Sequence, residues 1–119
     1  MGSRRLLVIA PDADYRQSLA FVLEAEGFVA VDYPQLPLPP QLARAPFDCT
    51  VLDLKVIRGL SPDAAIRFCD QACPLVLLGA RAPDWLENTH CHHVETPVIV
   101  DRLISAVHAA IQHTPFSAI

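Results

Sequence analysis

The chain has 119 residues and a mass of 13.0 kDa, one domain's worth and long enough to bury a core without cross-links. Hydrophobic residues make up 52% and charged residues 18%, which excludes a disordered chain. Nine Lys+Arg against thirteen Asp+Glu leave a net charge of -4, the wrong sign for an autonomous nucleic-acid-binding module. The longest apolar runs, 6–11 and 73–80, are strand-sized and far short of the roughly 18 residues of a membrane span. Two early arginines precede no secretory-type apolar segment, so no signal peptide is expected. Four cysteines in so apolar a chain do not read as a disulfide framework, and a reducing, cytoplasmic setting is expected.

The first element is a continuous apolar strand over 6–10, closed by Pro11 and Asp12. Apolar on both faces, it belongs at the centre of a covered sheet. From 14 to 26 the period becomes helical, with Leu19, Phe21, Val22, Leu23 and Ala25 forming a wide apolar face. Asp12 or Asp14 is placed to cap that helix, and Gly27 to end it in the left-handed conformation. A second strand covers 28–31 and stops before Pro34.

Four prolines between 34 and 40 exclude a helix there, leaving one helical turn at 41–45. A third strand, 47–54, contains Asp53 near its end. Ser61, Pro62 and Asp63 supply a capping hydroxyl, a first-turn proline and a first-turn acid, and the helix they start runs to about Gln71. A fourth strand over 74–78 ends at Gly79, and 83–88 holds one or two helical turns. A fifth strand covers 93–95, and the closing helix, 99–112, carries Leu103, Ile104, Val107, Ala110 and Ile111 on one face. Strand and helix patterns alternate five times without a linker or repeat, so residues 1–119 are expected to form a single α/β domain around a doubly wound, five-stranded parallel sheet.

In such a sheet the working site lies outside the carboxyl ends of the strands. Asp53 is the one reactive group at an interior strand end. Residues 6–33 resemble the first strand, helix and second strand of a response-regulator receiver domain of the CheY-like type. Residues 47–54 resemble that family's strand ending in the phosphoacceptor aspartate, and Thr96-Pro97 with the terminal helix resembles its closing segment. The resemblance spans nearly the whole chain. It implies a flavodoxin-like sheet, with second and fourth helices shortened here, and a place in two-component phosphorelay signalling rather than an enzyme's active site.

The departures from the family pattern carry the functional argument. Receiver phosphorylation uses an aspartate nucleophile and a magnesium ion that neutralises the crowded charge. Magnesium takes oxygen ligands, usually with one or two carboxylates among them. The acidic pair that supplies them in the family falls on Ala10 and Pro11, the switch hydroxyl on Gly79 and the lysine on Thr96. Ile57 and Ser61 stand where a proline and a glycine are usual. Losing the lysine removes a charge-assisted contact of about 1.5–3 kcal/mol. Asp12 would supply a ligand if the loop slipped by one residue; helix capping is its simpler role. Lys55 and Arg81 are the nearest cations by sequence. Asp53 is thus read as a vestigial phosphoacceptor, with magnesium bound weakly or not at all and no other cofactor.

Three further features remain. Trp85 reads either as a lid over the apolar ends of the fourth and fifth strands or as an interface anchor. The ribbon 34–40 either covers the sheet edge or docks on an aromatic-lined partner. Cys69 and Cys73 are four apart on a helix, and His90, Cys91, His92 and His93 follow at the next strand's amino edge, a donor set for zinc, copper or a thiol sensor that matches no standard zinc module.

The leading expectation is therefore an atypical receiver that regulates by binding a histidine kinase, another signalling protein or a second copy of itself. The terminal helix, through Leu103 and Val107, is the first candidate interface. No direct contact with nucleic acid or membrane is expected. The rival expectations are a competent phosphoacceptor at Asp53 and a metal or redox sensor.

Overall fold

A computed structural model describes residues 4–36, 38–43, 46–72, 74–89 and 91–112. Five parallel strands, β1 (Arg5–Ile9), β2 (Val29–Tyr33), β3 (Cys49–Asp53), β4 (Leu75–Gly79) and β5 (His92–Glu95), form one sheet in the order β2-β1-β3-β4-β5. Register is fixed by apolar runs in the middle strands: Val8 lies beside Val51, Val51 beside Val76, and Leu78 beside Val94. Every residue of β3 is buried, and all of β4 but Gly79, as covered parallel strands require.

Side chains alternate across the sheet and divide the core in two. One face, with Leu6, Val8, Val51, Val76 and Leu78, packs against α1 (Ala13–Ala25) and α4 (Val100–Gln112). The other, with Leu7, Ile9, Leu52, Leu75 and Leu77, packs against α3 (Pro62–Ala72), a 3-10 turn at Leu54–Ile57 and irregular segments. The second helix is reduced to α2 (Pro40–Ala43), one turn opened by proline, and Asp84–Asn88 forms a 3-10 turn where a fourth helix was expected to be a stub.

The local signals work as sequence chemistry dictates. Asp12 caps α1, its Oδ1 accepting the Tyr15 N–H at 3.1 Å, and Gly27 takes φ +98° after the helix. Ser61 Oγ accepts the Ala64 N–H at 3.2 Å and starts α3. Leu36 and Leu38, from the proline-rich ribbon, lie against the second core face, which favours covering over docking.

Two expectations need correction. Phe21, expected on the buried face of α1, is 73% exposed; Leu19 and Leu23 suffice to fill the helix–sheet seam. Leu103 and Val107, expected at an interface, are 1% and 0% exposed and belong to the core. The apolar stripe of α4 faces the sheet because β4 and β5 need a cover there, so these two side chains have no surface to offer a partner. Ile99 and Val100, at the start of the same helix, are the exposed apolar residues.

Candidate functional site

The carboxyl ends of β1, β3 and β4 open into a cleft of about 740 Å³. Asp53 is its buried acid, 7% exposed at the last position of β3. Asp53 Oδ1 accepts the Lys55 N–H at 2.9 Å and so caps the 3-10 turn that follows. Among the described residues Asp53 has no ion-pair partner: Lys55 and Arg81 line the cleft, but the ion pairs found are Arg4–Asp48 and Arg16–Asp32. Asp12 lines the same cleft and is exposed, while its Oδ1 is engaged in capping.

Ala10 and Pro11 end the neighbouring strand with no side-chain oxygen. Their carbonyls are the oxygens that remain, and a cation covers them. Arg16 Nη1 donates to the Ala10 carbonyl at 2.9 Å and reaches the Pro11 carbonyl at 3.5 Å, while its Nε donates to Asp32 Oδ2 at 2.8 Å. The guanidinium lies across the ends of β1 and β2, mostly withdrawn from solvent. Sequence reading passed over Arg16; its position one turn into α1, beneath a strand end with no acid, was the available signal.

Gly79, at the end of β4, is where the switch hydroxyl was expected to be missing. The space is not vacant. A Cβ built on Gly79 would overlap Leu54 Cδ1 and come within 3.3 Å of Leu54 Cβ and Cγ. Leu54, the residue after Asp53, therefore fills the volume that a side chain at position 79 would need. Thr96 also lines the cleft, and its N–H donates to the Gly79 carbonyl at 3.2 Å.

Tyr15 is the second residue that sequence reading missed. Its ring packs partly against the core, and its hydroxyl is buried with no hydrogen-bond partner among the described residues. Burial first, and the Asp53 charge second, push the phenol up to about 12, so it stays a neutral donor at the mouth of the acid's cleft. An aromatic residue three positions after a helix cap gives no local hint of this, since the approach to Asp53 depends on how α1 lies on the sheet.

Trp85 lines the cleft too, and its ring packs against the second core face. The half-buried ring thus borders both the acid's cleft and the apolar core beneath it. Lys55, Arg58 and Arg81 face Asp12 and Asp53 around the opening, with Ile57, Leu60 and Pro83 between them.

Of the Cys/His constellation, Cys69, Cys91, His92 and His93 lie among the described residues. His93 Nε2 lies 2.9 Å from the Gly79 carbonyl. Cys69 and Cys91 come together. Cys73 and His90 lie outside the described residues, and among those described no group of three or more His, Cys, Asp or Glu side chains is placed to hold a metal ion. No described helix is long and apolar enough to cross a membrane.

No protein-family model matches the sequence, and no curated protein does. Solved structures do match the fold. A sensor protein from Polaromonas sp. JS666 superposes with a TM-score of 0.68 at 22% identity, over 94% of this chain and 98% of that one. Full-length FixJ from B. japonicum gives 0.73 at 24% identity, over 94% of this chain and 59% of FixJ. A CheY-like response-regulator receiver domain protein from Methanospirillum hungatei gives 0.71 at 14% identity, over 94% and 96%. The chain thus has the CheY-like response-regulator receiver fold, in a doubly wound five-stranded parallel sheet.

Proposed function

We propose that this chain is a receiver-type module of two-component signalling whose normal magnesium-dependent aspartyl phosphorylation is impaired, and that it acts by binding a protein partner such as a histidine kinase or another signalling protein. The observation that supports the reading most is Gly79 at the end of β4, with the Leu54 side chain packed over it. Leu54, the residue beside Asp53, fills the space that a hydroxyl-bearing side chain at position 79 would need.

The donor set at the strand ends points the same way. Magnesium demands a near-octahedral oxygen shell. Asp53 offers a carboxylate, one of whose oxygens already accepts the Lys55 N–H, and Ala10 and Pro11 offer carbonyls held by the Arg16 guanidinium. The end of β1 therefore offers the cleft no carboxylate except that of Asp12, whose Oδ1 caps α1. This donor set supports weak magnesium binding at most. Thr96 brings no positive charge to a transferred phosphoryl group, which leaves only the exposed Lys55, Arg58 and Arg81 nearby.

Incubation of the purified chain with acetyl phosphate and magnesium, read by intact mass, tests the proposal. The expected result is an unmodified chain. A phosphoryl adduct that Asp53→Asn abolishes would overturn it and establish the competent phosphoacceptor instead.

A further inference from the structure

We propose that Cys69 and Cys91 form a dithiol modification site, which a hydroperoxide converts to an intramolecular disulfide. The sequence alone pairs Cys69 with Cys73, one helical turn away; the fold pairs it with a residue from another element. Cys69 sits on the buried face of α3, 0% exposed, and Cys91 immediately precedes β5 and is half-buried against the same core cluster. Cys91 Sγ lies 4.0 Å from the Cys69 carbonyl oxygen, and the Cys69 side chain is near enough to lower the pKa of the Cys91 thiol. The approach is held from behind: Thr89 Oγ1 donates to the Leu86 carbonyl at 2.7 Å and accepts the Cys91 N–H at 3.3 Å.

The two sulfurs differ in a useful way. Cys91 has access to solvent, whereas Cys69 has none, which assigns Cys91 as the attacking group and Cys69 as the resolving one. The contact with Cys69, aided by Thr89 and opposed by burial and by Asp70, draws the Cys91 thiol below its usual range and favours the nucleophilic thiolate. Cys49 provides an internal control, being buried on β3 within the opposite core cluster.

The chemistry balances with the peroxide as the only added reactant. The Cys91 thiolate attacks one peroxide oxygen, the O–O bond breaks, and the leaving oxygen takes up a proton and departs as water or alcohol. The Cys69 thiol then attacks the sulfenic sulfur, the S–O bond breaks, and water leaves with the Cys69 proton. Two electrons pass from the two sulfurs to the peroxide, and a thiol reductant reverses the bond. The product ties α3 to the leading end of β5, the edge strand on that side.

Stoichiometric hydrogen peroxide added to the reduced full-length chain, followed by intact mass and non-reducing peptide mapping, tests the site. The expected result is a loss of about two daltons, reversible by dithiothreitol, with a single bridged peptide joining Cys69 to Cys91. Cys91→Ser is expected to abolish the loss, and Cys49→Ser to retain it. Mapping of the unaltered chain keeps the test independent of whether any variant folds. A bridge through Cys73 or Cys49, a disulfide-linked dimer, or no mass loss would overturn the proposal.

Discussion

The two faces of the sheet are built to different standards. One is covered by two thirteen-residue helices, α1 and α4, whose apolar stripes meet Leu6, Val8, Val51, Val76 and Leu78 in regular helix-on-sheet packing. The other has one full helix, α3; the rest of its cover is a one-turn α2, two 3-10 turns, a proline-rich ribbon and the half-buried Trp85. The shortened second helix, the short segment around Trp85 and Leu54 packed over Gly79 all lie on the second face. The contrast suggests that a sheet anchored on one side tolerates rebuilding on the other.

The comparison can be broken first at its strong side. Leu103→Ala, on the regular face, is expected to lower stability by about 3 kcal/mol in denaturant titration, since α4 cannot collapse onto the cavity without leaving β5. A loss below 1 kcal/mol would mean the two faces are equally forgiving. Gly79→Ser comes next: restoring a side chain against Leu54 is expected to cost about 2 kcal/mol by overpacking, and adding Leu54→Ala should recover part of it. Independent, additive effects would show that the two positions do not share one volume.

Trp85→Ala, on the rebuilt face, is expected to cost about 1.5 kcal/mol, less than a fully buried tryptophan because the ring already borders solvent. The smallest effect concerns Tyr15, which links the regular face to the acid's cleft. Its folded pKa of about 12 lies above the ordinary value of 10.0, so the unfolded chain loses this proton first. The protonated phenol's contribution is intact below pH 10 and is lost as pH rises from there to about 12, giving a downward slope in stability. Tyr15→Phe should flatten that slope and remove one late-titrating phenol from the tyrosinate absorbance.

Much of the fold was legible because its signals are local. Apolar runs at 6–10 and 74–78, the caps at Asp12 and Ser61, and prolines at 34–40 each act within a few residues, and each lies where its chemistry requires. Asp53 was legible for the same reason, as an acid closing an apolar strand. The site around it was not, because its character lies in contacts between elements. Leu54 filling the place above Gly79, Arg16 reaching back to Ala10, and Tyr15 approaching Asp53 all depend on where helices cross the sheet. The face of α4 was read correctly, but its use was not: periodicity reveals an apolar stripe without saying whether the sheet or a second molecule will cover it.

Because the chain's single indole borders the carboxylate's enclosure, its emission is a built-in, label-free gauge of occupancy. An ion, an anion or a peptide loop entering there must alter the polarity or the quenching that the ring experiences, so candidate binders can be ranked by a spectrum taken on unmodified material.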